Sequence, residues 1–198
     1  VFVFNYIGQI IIVFFVGFFA DKLGRKIFHI IFVILLSMVA LAFAFANNYV
    51  LFLVLFLFLG IFGVSINLMA DSSVSDLFRI NRGYYLNIAH IFYGLGAITA
   101  PIVFNTLNDL TDDFRIIFFV LVAFSVLALA LIIPARYPSE HNLSISAGII
   151  ISMLKRPRLL MINIFGLIVF GTVVAISGWL PTLFQKFFGV GTRLSNYS

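Results

Sequence analysis

Six long apolar runs set the limits on what this chain can fold into. They cover residues 2–20, 27–46, 50–70, 84–105, 115–134 and 159–180. A helix of about 20 apolar residues crosses the hydrocarbon core of a bilayer, which is roughly 30 Å thick. Of the 198 residues, 63% are hydrophobic and only 10% are charged, which is more apolar surface than a soluble domain of this size can bury. The sequence therefore predicts an all-α membrane protein with six spans.

The rest of the composition excludes several classes of function. The chain has no cysteine, which removes disulfides, thiolate metal ligands and thiol nucleophiles. With 3 His and no glycine-rich phosphate loop, the sequence predicts no enzyme, no metal site and no cofactor. The formal net charge of +5 comes from bases at the ends of the spans rather than along one face. This pattern indicates membrane topology and no nucleic-acid partner.

The bases are distributed unequally between the two sides of the predicted membrane. One side carries Lys22, Arg25, Lys26, Arg79, Arg82, Arg136, Lys155, Arg156 and Arg158, and the other carries Arg115, Lys186 and Arg193. Cytoplasmic loops are enriched in Lys and Arg, so the first side is predicted to be cytoplasmic. It includes the segment 135–158, in which residues 144–154 are expected to form a short amphipathic helix on the membrane surface.

Polar residues inside the spans form stripes at helical spacing. Asn5 and Gln9 lie one turn apart in the first span, and Asn67 and Asp71 do so in the third. The fourth span carries Asn87, His90, Gly94, Ala97 and Pro101, and the sixth carries Trp179. The second and fifth spans have few polar groups, which predicts that they face lipid.

These polar residues suit a small polyhydroxylated solute. Amides and imidazole hydrogen-bond to hydroxyl groups, and an indole ring offers a flat apolar face. The candidate substrate-binding residues are Asn5, Gln9, Asn67, Asn87, His90 and Trp179. Two structural alternatives stay open, since Asn and His also bridge membrane helices and Trp is enriched at membrane interfaces.

A charged, glycine-punctuated turn joins the first two spans. It reads Gly17-Phe18-Phe19-Ala20-Asp21-Lys22-Leu23-Gly24-Arg25-Lys26. Gly17 is expected to admit a close neighbour, Gly24 to adopt a conformation that a side chain would strain, and Arg25 to pair with a carboxylate. The spacing of the glycines, the acid and the bases closely resembles the signature loop between membrane helices 2 and 3 of the major facilitator superfamily of transporters.

This resemblance implies a partial major-facilitator fold in which the six spans are family helices 2 to 7. Residues 1–134 would form the N-terminal half without its first helix, 135–158 the cytoplasmic linker between the halves, and 159–198 family helix 7 and the start of the C-terminal half. Helix 1 and the remaining C-terminal half would lie outside this sequence. The resemblance also implies a multi-pass protein of the plasma membrane.

A gating role for the turn is implied by the same resemblance. Asp21 would contact the positive N-terminal end of a helix in the other half, with Arg25 as its structural partner. The gating residues carried over from the family motif are Gly17, Asp21, Lys22, Gly24, Arg25 and Lys26.

Two further stretches are similar to the fucose-permease-like and sugar branch of the superfamily. They are residues 86–97 followed by Pro101, and Ser177-Gly178-Trp179-Leu180-Pro181. In the third span Asn67 and Asp71 exchange the usual order of acid and amide, and Val173 stands where many relatives have a glutamate. The expected function is secondary transport of a sugar or similar solute by alternating access.

Several alternatives to this function stay open. Coupling to protons through His90 or Asp71 is one option, and uniport is another. An exporter of amphipathic compounds would share the signature turn, and a non-transporting sensor could use the same fold. The expected partners are a small solute, protons if transport is coupled, the lipid bilayer, and the other half of the same protein.

Overall fold

Six α-helices make up most of the chain that the computed structural model describes, namely residues 2–111, 113–137 and 156–189. They are α1 (Phe2–Leu23), α2 (Arg25–Ala44), α3 (Tyr49–Leu77), α4 (Arg82–Thr111), α5 (Arg115–Ile132) and α6 (Pro157–Phe188). Each helix is long and apolar enough to cross a membrane. The predicted all-α fold with six spans is confirmed. The short helix expected over residues 144–154 lies outside the described residues.

Several helices continue beyond the apolar runs that predict them. α3 ends at Leu77 rather than at residue 70, α4 at Thr111 rather than 105, and α6 at Phe188 rather than 180. An apolar run marks the part of a helix that crosses hydrocarbon, whereas backbone hydrogen bonding carries the helix on into the interface. α4 also passes through Pro101 without ending.

The chain divides into two compact units, Val1–Asn142 and Leu143–Ser198. The first unit contains α1 to α5 and the second contains α6. Within the first unit, α3 contacts α1, α2 and α4, while α2 also contacts α1 and α5, and α4 contacts α5. α2 and α3 therefore each contact three of the other four helices of the first unit.

Two apolar clusters lie along α2. One joins Phe28 and Phe32 to residues of α1 and α3, namely Ile12, Val16, Ala20 and Met69. The other joins Val39 and Phe43 to Leu55, with Phe118 of α5 packed against it. The rings of Phe43 and Phe118 are stacked with centroids 5.4 Å apart. Since lipid tails are as apolar as these side chains, close van der Waals packing is what stabilises such contacts.

The position of α2 differs from the expectation that this span faces lipid. Eight of its residues are buried, more than in any other described helix: Phe28, His29, Phe32, Val33, Val39, Ala40, Phe43 and Ala44. Its exposed side is a stripe that includes Ile27, Ile34, Met38 and Leu41. The expectation was wrong for half of the helix because an apolar side chain suits lipid and a neighbouring helix equally. α5, by contrast, has no buried residue.

Hydroxyl groups within the helices are satisfied by the helix that carries them. Ser65, Ser73 and Thr99 donate to the carbonyl oxygen four residues earlier, at 2.7, 2.7 and 2.9 Å. Ser37, Ser125 and Thr172 do the same. This local bond lets a hydroxyl lie in an apolar environment without a partner on another helix.

Candidate functional site

The turn between α1 and α2 consists of a single residue, Gly24. Its φ of 81° lies in the region that favours glycine, as the sequence predicts. The Gly24 amide donates to the carbonyl oxygen of Ala20, and the Phe28 amide donates to that of Gly24, both at 2.9 Å. The amide and the carbonyl of this single turn residue are thus both hydrogen-bonded, one to each helix. At Gly17 an added Cβ would meet nothing within 4 Å, so the close neighbour expected there is not among the described residues.

Arg25, the first residue of α2, forms an ion pair with Asp76 near the end of α3. Their side chains are 19% and 34% exposed. A guanidinium and a carboxylate in such a partly buried position form a charge-assisted hydrogen bond. The pair fixes the start of α2 against the end of α3. The side chain of Asp21 lies outside the described part of the chain, so its expected pairing with Arg25 stays a prediction.

A second polar contact lies one turn further along α2. The hydroxyl of Tyr137 is 2.8 Å from Nδ1 of His29, and their rings meet edge to face with centroids 6.0 Å apart. His29 is buried. Tyr137 lies five residues beyond the end of α5 at Ile132. Partial burial raises the pKa of the Tyr137 phenol above its ordinary value. The contact holds the segment that follows α5 against α2.

The crossing of α1 and α3 is built on two glycines. A Cβ added at Gly8 would overlap the carbonyl oxygen of Leu57, and one added at Gly60 would overlap that of Asn5. Both glycines therefore allow backbone-to-backbone contact, as small residues do at the interfaces of membrane helices. Gly8 lies between Asn5 and Gln9, the two polar residues of the first span, whereas nothing in the sequence singled out Gly60.

Asn5 and Gln9 take part in this crossing. The side-chain amide of Asn5 donates to the carbonyl oxygen of Phe56 on α3 at 3.2 Å, and that of Gln9 donates to Oδ1 of Asn5 at 2.7 Å. The bond of Asn5 thus joins α1 to α3, which was the structural alternative, while that of Gln9 lies within α1 and holds the Asn5 side chain. Their role in binding a substrate stays a prediction.

The candidate residues of α3 and α4 have a different environment. Asn67, Asn87 and His90 are exposed, and Asp71 is half-buried. Within the described residues, the side chains of Asn67, Asn87 and His90 have no hydrogen-bond partner. An added Cβ at Gly94 would meet nothing within 4 Å, so the same side of α4 is open one turn later. We call Asn87, His90 and Gly94 the open face of α4.

Two further polar residues stand apart from these groups. Trp179 of α6, in the second unit, is 71% exposed. Asn105 of α4 is 6% exposed, and its Nδ2 has no hydrogen-bond partner in the described chain. Burying an unpaired amide costs about 1–3 kcal/mol.

Sequence reasoning missed three residues that the structure brings into contacts. The contact of Asp76 could have been predicted, because the end of one span and the start of the span before it lie on the same side of a membrane. That rule places Asp76 and Arg25 on one side. Gly60 and Tyr137 had no such signal, since helix rotation and the path of the chain after α5 decide their contacts.

Comparison with known proteins returns one family. The model described as Major Facilitator Superfamily matches residues 1–198. No curated protein and no solved structure matches the chain significantly.

Proposed function

Because the chain belongs to the Major Facilitator Superfamily of membrane transporters, we propose that it is part of a secondary transporter for a sugar or similar polyhydroxylated solute. It is a multi-pass membrane protein, and we place it in the plasma membrane with the turn at Gly24 and the segment 135–158 in the cytoplasm. Transport proceeds by alternating access, in which two halves rock about a site near the middle of the membrane.

One observation carries the choice of solute. Asn87 and His90 are exposed on the open face of α4, within a helix that otherwise has the character of a membrane span. A polar side chain costs free energy when it faces lipid, so it faces a water-filled cavity or another helix of the protein. In a cavity, the amide and the imidazole hydrogen-bond to solute hydroxyls. Asn67 and Asp71, on α3 of the same unit, are proposed to extend this site.

Proton coupling belongs to this proposal as one of two modes. His90 and Asp71 are the titratable groups that lie on the polar stripes of α3 and α4. A coupled transporter would protonate one of them from one side and release the proton to the other. Uptake against an imposed pH gradient by His90→Gln and Asp71→Asn variants separates this mode from uniport.

The turn at Gly24 is proposed to act as a gate. Its acid, Asp21, would contact the other half of the transporter when the cytoplasmic side closes. The Arg25–Asp76 ion pair would hold the α2 end of the turn against α3. The Asp21→Asn variant should reach the membrane normally and transport more slowly. Unchanged transport by this variant would contradict the gating role.

The test of the solute uses full-length protein in vesicles. Counterflow of labelled sugars and of cationic amphipathic compounds should be compared for the wild type and for Asn87→Ala and His90→Ala. We expect sugar counterflow, reduced about tenfold or more in both variants, because a site built to hydrogen-bond a hydroxyl loses that bond. Thr99→Ala is the control, since the hydroxyl of Thr99 on the same helix bonds to the carbonyl of Leu95.

Two other outcomes would replace the proposal. Counterflow of amphipathic compounds alone would favour an exporter, for which the exposed rings of Phe92 and Tyr93 beside the open face supply apolar contacts. Binding without counterflow of any solute would favour a membrane sensor.

A further inference from the structure

A shallow groove lies at the turn between α3 and α4. It has a volume of about 240 Å³ and is lined by Leu77, Phe78, Arg79, Ile80, Asn81 and Tyr85. The rings of Phe78 and Tyr85 stack with centroids 3.6 Å apart and form an aromatic wall. We call this feature the turn groove. Neither the transport site nor the gate uses it.

The charge at the turn groove is positive and is not compensated by the described residues. Arg79 lines the groove and Arg82 follows it, and both side chains are exposed. The nearest acid in sequence, Asp76, is paired with Arg25. Neither Arg79 nor Arg82 forms an ion pair within the described chain. A guanidinium presents its donors in a planar fork that matches the oxygens of a phosphate.

Apolar side chains project beside these bases. Ile80, at the tip of the turn, is 96% exposed, and Leu77 and Tyr84 are 55% and 66% exposed. The turn joins two membrane spans, which places it at the level of the lipid headgroups. At that depth the arginines lie against headgroups, whereas Leu77 and Tyr84, which belong to the two helices, lie nearer the acyl chains than the tip of the turn does. A ligand that suits both surfaces has a phosphate joined to hydrocarbon.

We propose that the turn groove binds the headgroup of an anionic phospholipid. Arg79 and Arg82 hold the phosphate, Asn81 donates a further hydrogen bond, and Leu77 contacts the upper part of an acyl chain. The site ties the end of α3 and the start of α4 to the membrane surface. It does not depend on which solute the protein carries.

The experiment measures lipid binding to the full-length protein in detergent by native mass spectrometry. Phosphatidylglycerol is titrated against the wild type and against the Arg79→Gln and Arg82→Gln variants. A base near the membrane surface contributes enough that each arginine variant should bind about fivefold more weakly. Arg136→Gln is the matched control, because Arg136 is an exposed base next to Tyr137 and outside the groove. Its affinity should stay within about twofold of the wild type.

Two further arms identify the source of the phosphate. Phosphatidylcholine should bind more weakly than phosphatidylglycerol, and glycerol phosphate at the same concentration should not displace the lipid. Displacement by glycerol phosphate would overturn the proposal in favour of a soluble phosphate ligand. An equal loss of affinity in Arg136→Gln would overturn it in favour of diffuse charge attraction. Unchanged affinity in both arginine variants would mean that the groove is filled by another part of the protein, and would overturn it as well.

Discussion

Polar residues are hydrogen-bonded at the crossing of α1 with α3 but exposed on the open face of α4. At the crossing, Gln9 is hydrogen-bonded to Asn5 and Asn5 to α3, and two glycines bring the backbones into contact. On α4, Asn87 and His90 are exposed and without partners in the described residues. Polar groups that are satisfied within the bundle hold it together, whereas those left open are available to a solute or to the rest of the protein.

The largest expected effect concerns the crossing. Gly60→Ala introduces a Cβ that overlaps the carbonyl oxygen of Asn5, so α1 and α3 must move apart. Overpacking of this kind costs about 1–3 kcal/mol. Gly63→Ala, on the same helix with nothing within 4 Å, should instead be neutral or gain up to about 1 kcal/mol from helix propensity. Thermal unfolding of the full-length variants in detergent measures both, and equal shifts would show that the crossing is looser than described.

The next effect concerns the ion pair that joins α2 to α3. Asp76→Asn removes a carboxylate from Arg25, whose side chain is only 19% exposed. Because the pair is partly exposed, we expect a loss of about 1–2 kcal/mol rather than that of a fully buried pair. Asp71→Asn, which breaks no described ion pair, serves as the control. Exchanging the two charges with Arg25→Asp and Asp76→Arg should restore part of the loss, and no recovery would argue against a direct pair.

The contact between Tyr137 and His29 should have a smaller effect. Tyr137→Phe deletes a hydrogen bond of 2.8 Å, worth about 1 kcal/mol, and keeps the ring contact. Tyr84→Phe is the control because Tyr84 is 66% exposed. A raised phenol pKa means that the unfolded chain loses its proton first. The stability difference between wild type and Tyr137→Phe is therefore full below pH 10.0 and declines as the pH rises above it. A difference that grows with pH would contradict this.

Asn105 combines the two cases, because it is buried and its Nδ2 has no hydrogen-bond partner among the described residues. Asn105→Leu should raise the stability by about 1 kcal/mol, since it removes an amide that is buried without a partner. The melting temperature of the full-length variant should be compared with that of the wild type. A clear fall would reveal a partner outside the described residues.

The smallest effect on stability is expected at the open face of α4. Asn87→Ala and His90→Ala remove exposed side chains that make no described contact, so unfolding should change by less than about 0.5 kcal/mol. The same variants are expected to lose transport. A large loss of stability would mean that another helix of the protein covers this face, and the contrast with the crossing would disappear.

Sequence reasoning predicted the elements of this fold better than their contacts. Apolar runs were sufficient to find six helices, and the conformation of Gly24 followed from its place between two spans. The burial of α2 was not predictable, because apolar side chains such as Phe28 and Phe43 can pack equally well against lipid tails or against a neighbouring helix. Nor was the division of the polar stripes, since Asn5 and Asn87 have similar sequence surroundings. Only helix rotation decides that one bonds to Phe56 and the other stays exposed.

The bond between Tyr137 and His29 has a mechanical consequence. The chain leaves α5 at Ile132, but five residues later it is fastened to α2. A force on the chain beyond Tyr137 would therefore act on α2 at His29 as well as on the end of α5. Since α2 packs on α1, α3 and α5, this one hydrogen bond couples the segment after α5 to four helices of the first unit.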